Sequence, residues 1–324
     1  PGDAEASHLL ELVSSGDMPP GEVHLPDEKV QLIEQWLTAG AATLRPEPET
    51  IGPGVPLSFE DRSYWAYQPI VAGALPPAES SAQTQMARTP IDQWIQAAMP
   101  EGLSFAPEAS RQTLIKRAYY NLTGLPPTAD EQRHWLEHPS PAWFDEMLEA
   151  LLASPSYGER WARHWLDVAG YADSAGYTSN DVLRPWAWKY RDYVIRSLNA
   201  DKPWNQFLVE QLAGDELLTP PFQDLNSDQA DQLIATGFLR VCPDGTADGC
   251  VDQNVARNDV MAEAIKVAST SLLGLTVGCA QCHDHRYDPV SQSDYYRLRA
   301  IFEPAYDVQN WRVPNARLVS LWSA

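Results

Sequence analysis

The sequence predicts a mainly α fold, on three observations. Apolar residues recur at i, i+3, i+4 and i+7 through much of the chain, the spacing of a buried helix face. Capping boxes, Gly and Pro bracket those stretches as helix starts and stops. Alternating strand patterns are scarce, and no repeat with a period of about 20–50 residues is visible. At 324 residues the chain can bury a substantial core, as one large domain or two unequal ones.

Residues 1–42 read as a small helical piece. Asp27 can cap a helix whose apolar positions are Val30, Ile33, Trp36 and Leu37, with Gly40 as the stop. Before it, Gly16-Asp17-Met18-Pro19-Pro20 is a stiff loop that presents a methionine. Residues 43–89 are Pro-rich and carry Phe59, Tyr64, Trp65 and Tyr67, which predicts a linker wrapping over the next domain.

A larger multi-helix domain is expected over 90–304, opening at Pro90 to Met99. Leu114, Ile115, Ala118 and Leu122 share one face, ended by Gly124 and Pro126-Pro127. Thr128 to Glu131 is a capping box, and Ser140-Pro141 opens a helix with Phe144, Met147, Leu148, Leu151 and Leu152 inside. A second box, Ser156 to Glu159, starts a helix that runs to Asp173. On it Tyr157, Trp161, His164, Trp165 and Val168 fall in one stripe about 120° wide, so His164 is expected to point inward. Arg184 to Asn199 and Trp204 to Gly214 are aromatic helices, and Asp231 to Phe238 is another. Asn258 is expected to cap a helix through Val260, Met261, Ala264, Ile265, Ala268, Leu272 and Leu275. Asp294-Tyr295-Tyr296 begins a last helix to Phe302, and 305–324 trail off as an extension with Trp311 and Trp322.

Forty-four acidic against 23 basic residues give a net charge of −21, which argues against nucleic acid or an anionic membrane surface as partner. A basic redox partner protein, or simple solubility in salt, fits better. No apolar run approaches the roughly 20 residues that span a bilayer. The chain starts at Pro1 without a Met or a visible signal peptide, which reads as processing or as a piece of something longer. Cys242 and Cys250 bracket a Pro-Asp-Gly-Thr-Ala-Asp-Gly loop, where a disulfide contributes about 2–3 kcal/mol in an oxidising compartment. Two free thiols are the alternative.

The densest chemical signal is Cys279-Ala280-Gln281-Cys282-His283, read on as Asp284-His285-Arg286-Tyr287-Asp288-Pro289. C-x-x-C-H is the signature of covalent c-type haem attachment: two thiols form thioethers to the haem vinyl groups, and the adjacent imidazole of His283 is the proximal iron ligand. Such attachment takes place outside the cytoplasmic membrane, so the motif implies a periplasmic or extracellular location. A zinc site using Cys279, Cys282 and His283 or His285 is the rival, although no second C-x-x-C half-site exists. A redox dithiol is a third reading. For the opposite face of the haem His164 is the candidate: His8, His24, His134 and His138 lie in polar text, and His285 is too close to His283. Trp161 and Trp165 would then pack the macrocycle. Met18 is either a sixth ligand presented by its loop or a gap-filling core residue.

Several longer stretches bear a family resemblance. They are Met18-Pro19-Pro20 with Trp36-Leu37-Thr38-Ala39-Gly40-Ala41, Asn121 to Pro127, Tyr157-Gly158-Glu159-Arg160-Trp161-Ala162-Arg163-His164-Trp165-Leu166-Asp167, Tyr171-Ala172-Asp173-Ser174, Tyr190 to Ile195, Leu198 to Pro203, Gln211 to Asp215, and Leu275 through Pro289 with Asp294-Tyr295-Tyr296. Together these resemble the planctomycete-type cytochrome c proteins, large secreted chains with an N-terminal cytochrome c module followed by a second conserved domain of unassigned function. The resemblance implies that residues 1–42 are the C-terminal part of a cytochrome c-like module and that 90–304 carry one haem c. The family's N-terminal C-x-x-C-H is missing before Met18. Met18 is therefore implied as axial ligand of a second haem only if that haem's attachment residues lie upstream. Gly170 stands where the family usually has Arg.

Three functions compete. The leading expectation is an extracytoplasmic c-type cytochrome that transfers single electrons within a larger assembly. The second is a haem-dependent oxidoreductase on a small or sugar-like substrate, using Asp173, Asp284 or Asp288, which read otherwise as caps and ion-pair partners of Arg163 and Arg286. The third is a metal-stapled interaction module of the cell envelope.

Overall fold

A computed structural model describes residues 3–19, 24–42, 59–76, 88–176 and 181–320. Pro20, Trp322 and most of the expected linker lie outside the described residues. The architecture is mainly α: among the described residues there are thirteen α-helices and no strand beyond one isolated bridge, Ser174 to Leu183. The chain divides into two compact units, Pro1–Val55 and Pro56–Ala324.

In the first unit, α1 (His8–Ser15) packs on α2 (Asp27–Thr38) and buries Val13. The Ser7 hydroxyl accepts from the Leu10 N–H, and Gly16 closes α1 at φ 81°. A Cβ on Gly16 would stand 2.7 Å from His24 Nδ1. Asp27 is the first residue of α2 rather than its cap, where its carboxylate faces the positive end of the helix dipole. Met18 is 45% exposed on the loop after α1.

The second unit opens with α3 (Phe59–Ser63), whose neighbouring aromatics Tyr64, Trp65 and Tyr67 are exposed rather than packed. After α4 (Pro90–Ala97), a satellite core forms where α5 (Arg111–Leu122), α6 (Ala129–Glu137) and α7 (Trp143–Leu152) bury Ile115, Tyr119, Trp135, Met147 and Leu151. The expected Thr128–Glu131 capping box is formed.

The main core lies among α8 (Pro155–Ala169), α9 (Ala187–Asn199), α10 (Trp204–Ala213), α11 (Ser227–Ala235), α12 (Gln253–Ala268) and α13 (Gln292–Tyr306). Small residues let α8 and α9 approach closely. A Cβ on Gly158 would meet the Ile195 carbonyl at 2.6 Å, and the Gly158 N–H donates to Asn199 Oδ1 at 2.8 Å. This contact sets the inward face of α8 along Gly158, Ala162, Trp165, Leu166 and Ala169.

Several expected helix starts move: α7 begins at Trp143 after Ala142 rather than at Ser140-Pro141, α9 at Ala187 rather than Arg184, and α11 at Ser227 rather than Asp231. Ser154 caps α8, with Pro155 at its first position, instead of Ser156. The carboxylate of Asp252, not Asn258, caps α12 by accepting from the N–H groups of Asn254 and Val255. Asn258 lies inside α12 and accepts from Arg299 at 2.7 Å. Ser291 opens α13 with a capping box to Asp294. Nor does the chain simply trail off after α13, since Trp311 stacks on Tyr306 and Arg317 binds Asp244 at 2.6 Å.

The disulfide expected between Cys242 and Cys250 is absent, because both are free thiols, one buried and one exposed. Polar contacts brace that loop instead. Asp244 accepts from the N–H and hydroxyl of Thr246, and Asp248 accepts from the Cys250 N–H.

Candidate cofactor-attachment site

The Cys279–His283 motif sits between α12 and α13, and the route to it is not the continuous helix that Leu272 and Leu275 suggested. After Ala268 the chain makes a π turn over Ser269–Leu273, reverses at Gly274 (φ 66°), and enters a 3₁₀ turn over Val277–Gln281. In a 3₁₀ turn residues three apart eclipse one another. Val277 and Ala280 accordingly face inward together, packing with Ile265 and Tyr295. Cys279 and Cys282, also three apart, are both exposed free thiols.

The loop beyond the thiols is tied down at both ends. Gln292 donates from Nε2 to the Gln281 carbonyl at 3.1 Å and from its backbone N–H to Asp284 Oδ1 at 2.7 Å. The His285 N–H donates to the Val290 carbonyl at 2.8 Å.

The two histidines differ in tautomer. His283 is exposed, and its Nδ1 lies 2.7 Å from the Asp284 carbonyl, which can only accept; Nδ1 therefore carries the proton and Nε2 is left with a free lone pair. His285 is opposite: its Nδ1 accepts from the N–H groups of Tyr287 (3.3 Å) and Asp288 (2.8 Å), so its proton is on Nε2, 3.1 Å from Thr276 Oγ1. The His285 side chain is only 6% exposed. It braces the loop.

His164 does not point inward. It is exposed on α8, its one ring contact being with Trp161 at 5.3 Å, and no hydrogen bond or ring contact joins it to the Cys279 turn among the described residues. The small residues facing α9, not the bulky aromatics, fix the rotation of the helix. Trp165 is committed elsewhere as well. Its ring packs against Trp204, Phe207 and Phe238, and its indole N–H points at the Tyr190 hydroxyl and Gln211 Oε1. Trp161 is exposed.

The acids proposed for chemistry also hold structural posts. Asp173 accepts from the Tyr171 hydroxyl at 2.7 Å, Asp284 from Gln292, and Asp288 sits 3.4 Å from His285. Among the described residues none of them pairs with Arg163 or Arg286. No three His, Cys, Asp or Glu side chains gather in metal-holding geometry among the described residues, so Cys279, Cys282, His283 and His285 do not build a zinc cage here.

The donor set fits a group held by two thioethers and one imidazole. It offers two exposed thiols three residues apart and one His whose Nε2 is free and whose Nδ1 is anchored to a carbonyl, the kind of contact that commonly steadies a metal-bound His. The sequence singles out these three residues but does not show the Asp284 carbonyl that meets His283, Thr276 beside His285, or the Ser291–Asp294 box that opens α13. Only the box had a readable signal, Ser-x-x-Asp.

Residues 90–307 match the family described as PSCyt2, a protein of unknown function (DUF1549). The chain belongs to this family. The PSCyt2 match takes in about two thirds of the chain, including the Cys279 turn and all helices from α4 to α13, and leaves 1–89 and 308–324 uncovered. No curated protein and no solved structure matches the chain. No helix among the described residues is long and apolar enough to cross a membrane.

Proposed function

We propose that this PSCyt2 chain is an extracytoplasmic c-type cytochrome, transferring single electrons within a larger redox assembly. The observation that carries the reading is the His283 tautomer: Nδ1 donates to the Asp284 carbonyl and Nε2 stands free, beside two exposed thiols three residues apart. When bound, a haem c supplies one-electron iron chemistry. Cys279 and Cys282 would hold it and His283 would ligate its iron, with the Asp284 carbonyl fixing the imidazole ring. Val277 and Ala280, buried against Ile265 and Tyr295, anchor the turn that carries the two thiols. A net charge of −21 suits docking to a basic partner protein.

A haem-dependent oxidoreductase draws less support, because Asp173 and Asp284 already serve structural hydrogen bonds. For residues 1–42 the proposal is the tail of a cytochrome c-like module, in which the exposed Met18 thioether would ligate a haem only if that haem's attachment residues lie upstream. The test is expression of the full chain in an exporting host with cytochrome c maturation, followed by a denaturing gel stained for haem and a pyridine haemochrome spectrum. Covalent haem lost in the Cys279→Ser/Cys282→Ser double variant is expected. A colourless, fully alkylatable wild type refutes the proposal.

A further inference from the structure

A cleft of about 1520 Å³ opens among the start of α9, the turn after α11, the end of α13 and the segment that follows it. Its charge is unlike that of the rest of the chain. Five of the 23 Lys and Arg residues line it, against four of the 44 Asp and Glu. Two of its guanidiniums are half-buried and lack a carboxylate partner among the described residues. Arg184 donates to the carbonyls of Val241 and Cys242 at 2.6 and 2.5 Å. Arg240 donates to the Ala305 carbonyl at 2.6 Å and lies 4.0 Å over the Tyr306 ring. Asp244, whose field reaches both, is already bound by Arg317 at 2.6 Å, while Asp181 acts on Arg184 and Asp215 on Arg240 only at a distance, without an ion pair.

Carbonyl oxygens satisfy hydrogen bonds but not charge, and a half-buried cation without a counter-charge is costly. Burial pushes both guanidinium pKa values down, the direction expected of cations short of a partner. Their remaining N–H groups are not sealed inside the protein. Alongside them the cleft presents apolar surface, including Phe302 and a half-exposed Trp186.

We infer that this cleft binds a small organic oxyanion: a molecule with a ring or apolar body and one carboxylate, sulfate or phosphate ester group. Arg184 and Arg240 hold the anionic group as bidentate donors, and the body lies on Trp186 and Phe302. The site is independent of the haem reading and stands or falls without it.

Isothermal titration of the full chain with benzoate, phenyl sulfate, phenyl phosphate and neutral benzyl alcohol tests it. At least one anion is expected to bind at millimolar concentration or below, more weakly as salt rises, with benzyl alcohol silent. Arg240→Gln should weaken that anion by about tenfold or more, the loss typical of a charged hydrogen bond. Because Arg240 also packs on Tyr306, Trp186→Ala on the exposed rim is the second variant, with folding of both checked by circular dichroism. No anion binding by wild type, equal binding of benzyl alcohol, or wild-type affinity in both variants overturns the inference.

Discussion

His283 Nδ1 is fixed 2.7 Å from the backbone carbonyl of Asp284, and that bond leaves Nε2 as the ring's free acceptor. Two residues on, His285 takes two backbone N–H groups on the same atom and is spent on the loop. The histidines should therefore separate in mutagenesis. His283→Ala is expected to keep covalent haem but lose the proximal ligand, read as a shift in the Soret band. His285→Ala should keep the wild-type spectrum and lower stability by about 1–3 kcal/mol, the cost of two N–H donors left without an acceptor. Urea titration of the two variants separates these outcomes.

His164→Ala should leave the absorption spectrum of the haem-loaded protein unchanged. The side chain is exposed and touches only the Trp161 ring among the ring contacts of α8 that involve it. A change in spin state on this substitution would restore His164 as the distal ligand.

The cysteines make a separate prediction. Burial pushes the Cys242 thiol up to about 11, while Cys250 is exposed. Iodoacetamide at neutral pH is expected to modify Cys250 in the native protein and Cys242 only after denaturation, as read by peptide mass spectrometry. Protection of both under non-reducing conditions, released by reductant, would show a bridge instead.

What the sequence could tell divides along a physical line. Helix existence was legible because it rests on local periodicity and capping chemistry, as at Thr128–Glu131. Cys279, Cys282 and His283 stand out in the sequence because C-x-x-C-H is recognised by spacing alone, with no tertiary contact needed to see it. Helix rotation was not, as α8 shows: it is decided by how closely Gly158 and Ala162 let α9 approach, a contact between residues some 40 positions apart in sequence, as for Gly158 and Asn199. The two carboxylate-free arginines of the cleft were equally hidden, since Arg184 and Arg240 meet carbonyls far from them in the chain.

Gly158 offers a direct test of that contact. With Asn199 Oδ1 and the Ile195 carbonyl both 2.6 Å from an added Cβ, α8 and α9 must separate to admit one. Gly158→Ala should destabilise by about 1–3 kcal/mol or more through overpacking, although alanine favours helix locally. A thermal melt no lower than wild type would mean that the two helices can part at little cost.

The last prediction concerns acid. Glu210 is buried, which by itself raises a carboxyl pKa, but hydrogen bonds from Lys202 at 2.5 Å, Gln206 and Tyr193 outweigh burial and hold it below its ordinary value of 4.5. A depressed folded value means that the unfolded chain takes up the proton first as pH falls. The stability from Glu210 is thus complete above 4.5 and is lost as pH falls toward the lowered folded value. Lys202→Met reverses the sign, because the buried carboxylate then lacks its cation and prefers to be protonated. The variant should be less stable by about 3–5 kcal/mol near neutral pH, the cost of breaking a buried pair. As pH falls from about 7 the variant regains stability, and below 4.5 the wild type loses its own, so their urea midpoints should converge toward about pH 4. A gap that stays constant over that range would place the effect of Lys202 in its packing 4.8 Å over the Tyr193 ring rather than in the charge on Glu210.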